Sequence, residues 1–124
     1  MHLKNKVVIV TGSGGGGSGR AEARRFASEG CFVVVSDIDE AGGRQTLNLI
    51  REDGGQAAFF RADVAVEGDV KALLAFAEET FGGVDIIVNN ASGPGYHPEA
   101  PLEYWFETVQ IDLLGAMFVS MFVL

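Results

Sequence analysis

A three-layer α/β fold, a parallel sheet between helices on its two faces, is predicted by three features of this sequence. Short apolar runs alternate with segments of helical period. Glycines gather where one kind of segment gives way to the other. The 124 residues, 48% hydrophobic and 21% charged, suit one ordinary domain spanning 1–124.

The elements follow in chain order. Val7 to Val10, Phe32 to Val35, Ala57 to Phe60 and Val84 to Val88 are nearly continuous apolar runs rich in β-branched and aromatic residues, so each reads as a strand buried on both faces. After the first run, Arg20 to Glu29 sets Ala23, Phe26 and Ala27 on one helical stripe before Gly30. After the second, Asp39 to Asp53 offers Leu47 and Ile50 before Gly54 and Gly55. After the third, Val70, Leu73, Leu74, Ala77 and Phe81 share a stripe with Lys71, Glu78 and Glu79 turned outward, and Gly82 and Gly83 stop the helix. Connections of this length suit crossovers between parallel strands, which are right-handed. Beyond the fourth run, all three prolines fall between Pro94 and Pro101 and mark a loop.

Between the first strand and first helix lies Thr11-Gly12-Ser13-Gly14-Gly15-Gly16-Gly17-Ser18-Gly19. A chain nearly free of side chains can turn tightly, bring its backbone against phosphate and pack helix close on strand, while the helix N-terminus offers unpaired N–H donors. The spacing G-x-G-x-x-G is met in more than one frame, as Gly12-Gly14-Gly17 and as Gly14-Gly16-Gly19, so the setting carries the reading. A buried strand precedes, a helix follows, and Asp37 stands 18 residues beyond Gly19 at the end of the second strand, near the ~20 of a ribose-binding carboxylate. This is a Rossmann-type dinucleotide site. Asp37 also suits a helix cap, a role that Asp39 can fill instead. A P-loop fails because Arg20-Ala21 stands where Lys and then Ser or Thr are needed.

Charge and composition narrow the partners. A net charge of −8, with nine scattered Lys and Arg, excludes a basic surface for nucleic acid or anionic membrane. Ile111 to Leu124 is the one apolar stretch of membrane character, but at 14 residues with Asp112 inside it falls short of a bilayer span. The lone Cys31 reads as a buried structural thiol, and the polar Met1 to Lys6 followed by four apolar residues is no signal peptide, so a cytoplasmic location is expected. His2 is terminal and His97 stands in the proline-rich loop without a metal-ligand pattern, so no metal is expected.

The whole chain resembles the short-chain dehydrogenase/reductase family. Thr11, Gly12, Gly17 and Gly19 match its Thr-Gly-x-x-x-Gly-x-Gly turn, lengthened here by one residue. Asp63-Val64 matches the pair that follows the third strand, and Asn89-Asn90-Ala91 the Asn-Asn-Ala-Gly signature after the fourth, with Ser92 in place of glycine. The resemblance implies a sheet ordered 3-2-1-4 and cofactor contacts from Thr11, Gly12, Ser13, Gly17, Ser18, Gly19, Asp37, Ile38, Asp63, Val64, Asn90 and Ala91. Asp63 is read against the alternative of a solvated loop residue. A carboxylate at Asp37 accepts from both ribose hydroxyls and repels a 2′-phosphate, so NAD is expected over NADP.

The family's proton-transfer group is Asn, Ser and a Tyr-x-x-x-Lys pair. Here the tyrosines are Tyr96 and Tyr104, four residues beyond them stand Ala100 and Thr108, and no lysine follows Lys71. The run Trp105 to Gly115 resembles the family's fourth helix, with Asp112 at the asparagine position, where a catalytic role and a plain helix position weigh equally. Leu113 to Leu124 is hydrophobic around its circumference, which implies burial against a copy of itself or missing chain. The expectation is thus the front of an oxidoreductase of alcohols or carbonyls, truncated before the fifth strand, homo-oligomeric through Ile111 to Leu124 and inactive alone. The alternative is a non-catalytic NAD-binding or oligomerising module.

Overall fold

The computed structural model describes residues 2–93 and 98–123. Tyr96 and His97, considered above as a proton donor and a metal ligand, lie outside the described residues. Strand β1 (Val7–Thr11) pairs in parallel with β2 (Phe32–Asp37) on one side and β4 (Ile86–Val88) on the other, and β3 (Gln56–Arg61) pairs with β2, giving the order β3-β2-β1-β4. Register aligns Val8 with Val33 and Ile86, and Val10 with Val35 and Val88. The implied order 3-2-1-4 and the three layers are therefore present.

Strand alternation divides the core between two faces. Val8, Val10, Val33 and Val35 pack with Ala23 and Ala27 of α1 (Ser18–Ser28) and with Leu47 and Ile50 of α2 (Glu40–Glu52). Ile9 and Val34 face the other way, against Leu73 and Ala77 of α3 (Glu67–Phe81). The expectation that all four strands are buried on both faces holds only for β1 and β2. Residues of β3 and β4 are mostly half-buried, because these strands form the margins of the sheet.

Boundaries shift for local reasons. Helix α1 begins at Ser18, two residues before the expected Arg20, since its N-cap is Gly17 and no side chain marks the start. Asp39 caps α2, its Oδ1 accepting from the Gly42 N–H at 3.1 Å. Helix α3 ends on Gly82, whose φ of 90° is the left-handed conformation that glycine adopts without penalty. Strand β4 starts later than Val84, where Asp85 turns its carboxylate to the start of β1, accepting from the Val7 N–H at 2.8 Å.

After the loop, α4 (Leu102–Thr108), a π-helical stretch (Val109–Gly115) and α5 (Ala116–Val123) form one continuous helix of 22 residues. The expectation that this apolar segment is too short to span a bilayer assumed a start at Ile111. The helix in fact starts after Pro101, and by length and composition it suffices to cross a membrane. One side packs on the protein: Val119 is fully buried beside Val64 and Val70, with Phe118 and Phe122 half-buried around it. Leu102, Phe106, Val109, Leu113, Met117 and Met121 are exposed.

Candidate functional site

The carboxyl ends of the four strands open into one cleft of about 370 Å³. It lies where the strand order reverses between β1 and β4, the switch point at which open parallel sheets bind ligands. Of the twelve residues expected to contact a cofactor, eleven line it: Thr11, Gly12, Gly17, Ser18, Gly19, Asp37, Ile38, Asp63, Val64, Asn90 and Ala91. Ser13 does not. Its hydroxyl is buried, donates to the Val10 carbonyl at 2.7 Å and accepts from the Ser36 N–H at 3.1 Å, which ties the ends of β1 and β2 together.

The glycines divide into two groups by their surroundings. Gly12 has φ 65°, and a Cβ there would lie 2.6 Å from the Ala91 Cα; at Gly19 it would strike the Gly12 carbonyl and the Asn90 side chain. These two permit the close approach of turn, helix and β4 loop. At Gly15, Gly16 and Gly17 a Cβ would meet nothing within 4 Å. That open stretch, ahead of the α1 N-terminus, leaves backbone accessible to an anion.

Two polar residues knit the switch point. Thr11 Oγ1 donates to the Val88 carbonyl at 3.3 Å and accepts from the N–H groups of Asn90 and Ala91 at 3.1 Å each. Asn90 Nδ2 donates to the carbonyls of Thr11 and Gly12 at 3.1 and 3.0 Å, and its Oδ1 accepts from the Ser18 hydroxyl at 3.0 Å. A half-buried amide is thereby satisfied on both its faces.

Asp37 is held by the backbone, with Oδ2 accepting from the Gly14 N–H at 2.8 Å and Oδ1 from the Asp39 N–H at 2.9 Å. The helix cap belongs to Asp39. Asp63 accepts from the Ala65 N–H at 2.9 Å, and its own N–H donates to Asp69 Oδ2 at 2.9 Å, so the loop before α3 is shaped by two carboxylates. Exposed Ile38 and buried Val64 supply apolar wall.

Asp112 is not among the residues that line this cleft, although its neighbour Ile111 is; its Oδ1 accepts from the Gly93 N–H at 2.6 Å and anchors the loop after β4 to the helix that follows. Sequence reasoning did not single out Arg20, Thr46, Glu107 or Ile111. Glu107 and Ile111 reach the cleft from one helical face, an i, i+4 pair that periodicity could have proposed. Arg20 carries a subtler signal, a cation in the first turn of a helix, where the macrodipole opposes it.

Among the described residues no three His, Cys, Asp or Glu side chains gather as a metal site would require. Burial raises the pKa of the Cys31 thiol above its ordinary 9.0, with Glu29 and Asp85 adding repulsion, and this residue lies far from the cleft in the core beneath α1.

A family model described as short chain dehydrogenase matches residues 6–124. An uncharacterized oxidoreductase of Thermotoga maritima is 40% identical over 120 residues, covering 95% of this chain and 46% of that protein. A 3beta-hydroxysteroid dehydrogenase 1 of Eggerthella lenta is 45% identical over 116 residues, covering 91% and 44%. The crystal structure of a hydroxysteroid dehydrogenase from Escherichia coli superposes with a TM-score of 0.90 at 36% identity, covering 98% of this chain and 52% of that one. The chain spans about half the length of these relatives.

Proposed function

We propose, since this chain belongs to the short chain dehydrogenase family of oxidoreductases, that its cleft binds NAD(H) and serves hydride exchange between NAD and an alcohol or carbonyl in a longer protein. The observation that carries the reading is convergence. The glycine turn, Asp37, the Asp63–Val64 pair and Asn90 arise from four separate strand ends and meet in one cleft of a size suited to a small-molecule ligand.

The residues present fit such a cofactor. The open Gly15–Gly17 backbone and the α1 N-terminus suit a diphosphate, Asp37 a ribose diol, and Ile38, Val64 and Asp63 an adenine face and edge. Asn90 and Ala91 would support the remainder at the switch point. Bound there, the nicotinamide would supply the hydride chemistry, while this chain's part is to bind and orient it. Asp37 favours NAD, because a 2′-phosphate would face a carboxylate. The 124-residue chain, without a Tyr-x-x-x-Lys pair, should bind without turnover.

Calorimetric titration with NAD and NADP tests this reading. NAD should bind more tightly than NADP, and Asp37→Ala should weaken NAD preferentially. No heat with either at millimolar cofactor, or tighter binding of NADP, would refute it.

The exposed stripe from Leu102 to Met121 favours a second reading, a module that also associates with copies of itself through this helix. Sedimentation of the chain should then show a dimer or larger species, which charged substitutions at Leu113 and Met117 would dissociate. A cytoplasmic location and a single domain over 1–124 accompany the first reading as proposals.

A further inference from the structure

We propose that Arg20 is a positioning residue for cofactor selection: through Gly14 it fixes the Asp37 carboxylate in the orientation that admits an unphosphorylated ribose. The proposal rests on the NAD reading above and assigns a specificity role to a residue outside the cleft wall.

A guanidinium in the first turn of a helix sits at the positive end of the macrodipole, so other contacts must offset an unfavourable location. Arg20 spends its donors across the gap to α2. Its Nε donates to Thr46 Oγ1 at 2.9 Å, and one terminal nitrogen donates to the carbonyls of Gly14 at 2.9 Å and Gly42 at 3.3 Å and to Gln45 Oε1 at 3.2 Å. No carboxylate among the described residues pairs with it. Thr46, itself fully buried, passes the tie onward by donating to the Ser13 carbonyl at 2.7 Å. Two successive carbonyls of the glycine turn are thus bound by one cluster.

The opposite edge of Gly14 meets Asp37. The Gly14 N–H donates to Asp37 Oδ2, and a Cβ at Gly14 would lie 2.9 Å from both Cβ and Cγ of Asp37. The other carboxylate oxygen is held by Asp39, the cap residue of the helix whose Gly42 carbonyl accepts from Arg20. A closed ring results: Arg20, Gly14, Asp37, Asp39, the first turn of α2, and Arg20 again. Gly14, the hub of this ring, lies in the stretch between Gly12 and Gly17, where the turn is one residue longer than the family pattern.

Held by two N–H groups, Asp37 is organised in advance to accept from a ribose diol and cannot swing away from a 2′-phosphate. Loss of Arg20 frees Gly14 and returns rotamer freedom to the carboxylate. Discrimination between NAD and NADP should then shrink. The positive charge of Arg20 works in the opposite sense, since its removal alone would sharpen rejection of NADP, so the two effects are separable by sign.

The experiment measures dissociation constants for NAD and NADP in the 124-residue chain, in Arg20→Ala, Arg20→Lys and Asp37→Ala, and in the Arg20→Ala/Asp37→Ala double variant, each first checked by its melting curve. The NAD/NADP selectivity should fall about fivefold in Arg20→Ala, the scale of one net hydrogen bond. It should fall similarly in Arg20→Lys, because an ammonium keeps the charge but lacks the planar fork. On the Asp37→Ala background, Arg20→Ala should no longer lower the ratio, because only the charge effect of the opposite sign is left. Equal weakening of both cofactors, an unchanged or widened ratio in Arg20→Ala, or full selectivity in Arg20→Lys would overturn the proposal while leaving the NAD reading intact. If the unmodified chain binds neither cofactor, the NAD reading falls and this proposal with it. Should Arg20→Ala not fold, Arg20→Lys and Gln45→Ala decide on the same ratio.

Discussion

Replacing Asn90 by alanine tests whether the switch point is held together as the hydrogen bonds indicate. The side chain donates twice, to the carbonyls of Thr11 and Gly12, and accepts once from Ser18. The first two bonds are partly buried and are worth about 1 kcal/mol each, whereas the exposed Ser18 bond adds little. Because the residue is only half-buried, its removal leaves no sealed cavity, and the expected loss is about 2 kcal/mol. Over 124 residues an unfolding entropy near 2.1 cal/mol/K per residue converts this to a fall in Tm of roughly 8 °C. Thermal and urea unfolding of the same samples provide the assay. Asn90→Asp should be worse than Asn90→Ala, since it keeps the acceptor for Ser18 but sets a carboxylate against two carbonyl oxygens. An Asn90→Ala variant within about 0.5 kcal/mol of the parent, or an Asn90→Asp variant as stable as the parent, would refute the reasoning.

Three further expectations concern the scaffold. Leu73→Ala opens a cavity between α3 and the sheet at a fully buried position, and urea unfolding should register a loss of about 3 kcal/mol. Asp39→Ala removes the cap of α2 and should cost about 1 kcal/mol in the same assay, with Asp39→Ser recovering most of it. The Cys31 thiol has its pKa raised above 9.0 by burial and by Glu29 and Asp85, so the folded state holds this proton more tightly than the unfolded chain. Its contribution to stability is full below about pH 9 and is lost as pH rises towards the folded value. Unfolding free energies measured from pH 7 to 10 should fall in that upper range and fall less in Cys31→Ala.

The inner strands were legible because burial on both faces leaves a run such as Val33 to Val35 no room for polar residues. The margins were less so. Asp85 interrupts an apolar run to satisfy an N–H of β1, a contact 78 positions away that no local pattern encodes. Along the cleft, the residues that carry a local signature are the glycines after a strand, an acid at the next strand end and Asn90 of an asparagine pair. Arg20 and Thr46 escaped because, apart from Gly14 six positions from Arg20 and Gly42 four positions from Thr46, their acceptors stand 22 to 33 positions distant. The orientation of the Ser13 hydroxyl is illegible for a related reason, since a turn residue can face outward or toward the sheet beneath, and only the packing of β2 decides between them.

The π-helical stretch Val109–Gly115 has a consequence for tolerance to insertion and deletion. Each residue of an α-helix advances the chain by about 100°, so a wider turn placed in mid-helix resets the phase of everything after it. Gly115, which has no space for a Cβ beside Val64, and Val119 share one side by their i, i+4 spacing, and the reset turns that side inward relative to the residues of α4. Deleting one residue within Val109–Gly115 would relax the helix towards an ordinary pitch and rotate α5 by about a quarter turn. Val119 would then leave its pocket, and the outward stripe would break at Met117. The two halves of this helix are therefore keyed to different surfaces, and their offset, like the spacing of teeth on two meshed gears, is set by a count of residues and tolerates substitution far better than a change in length.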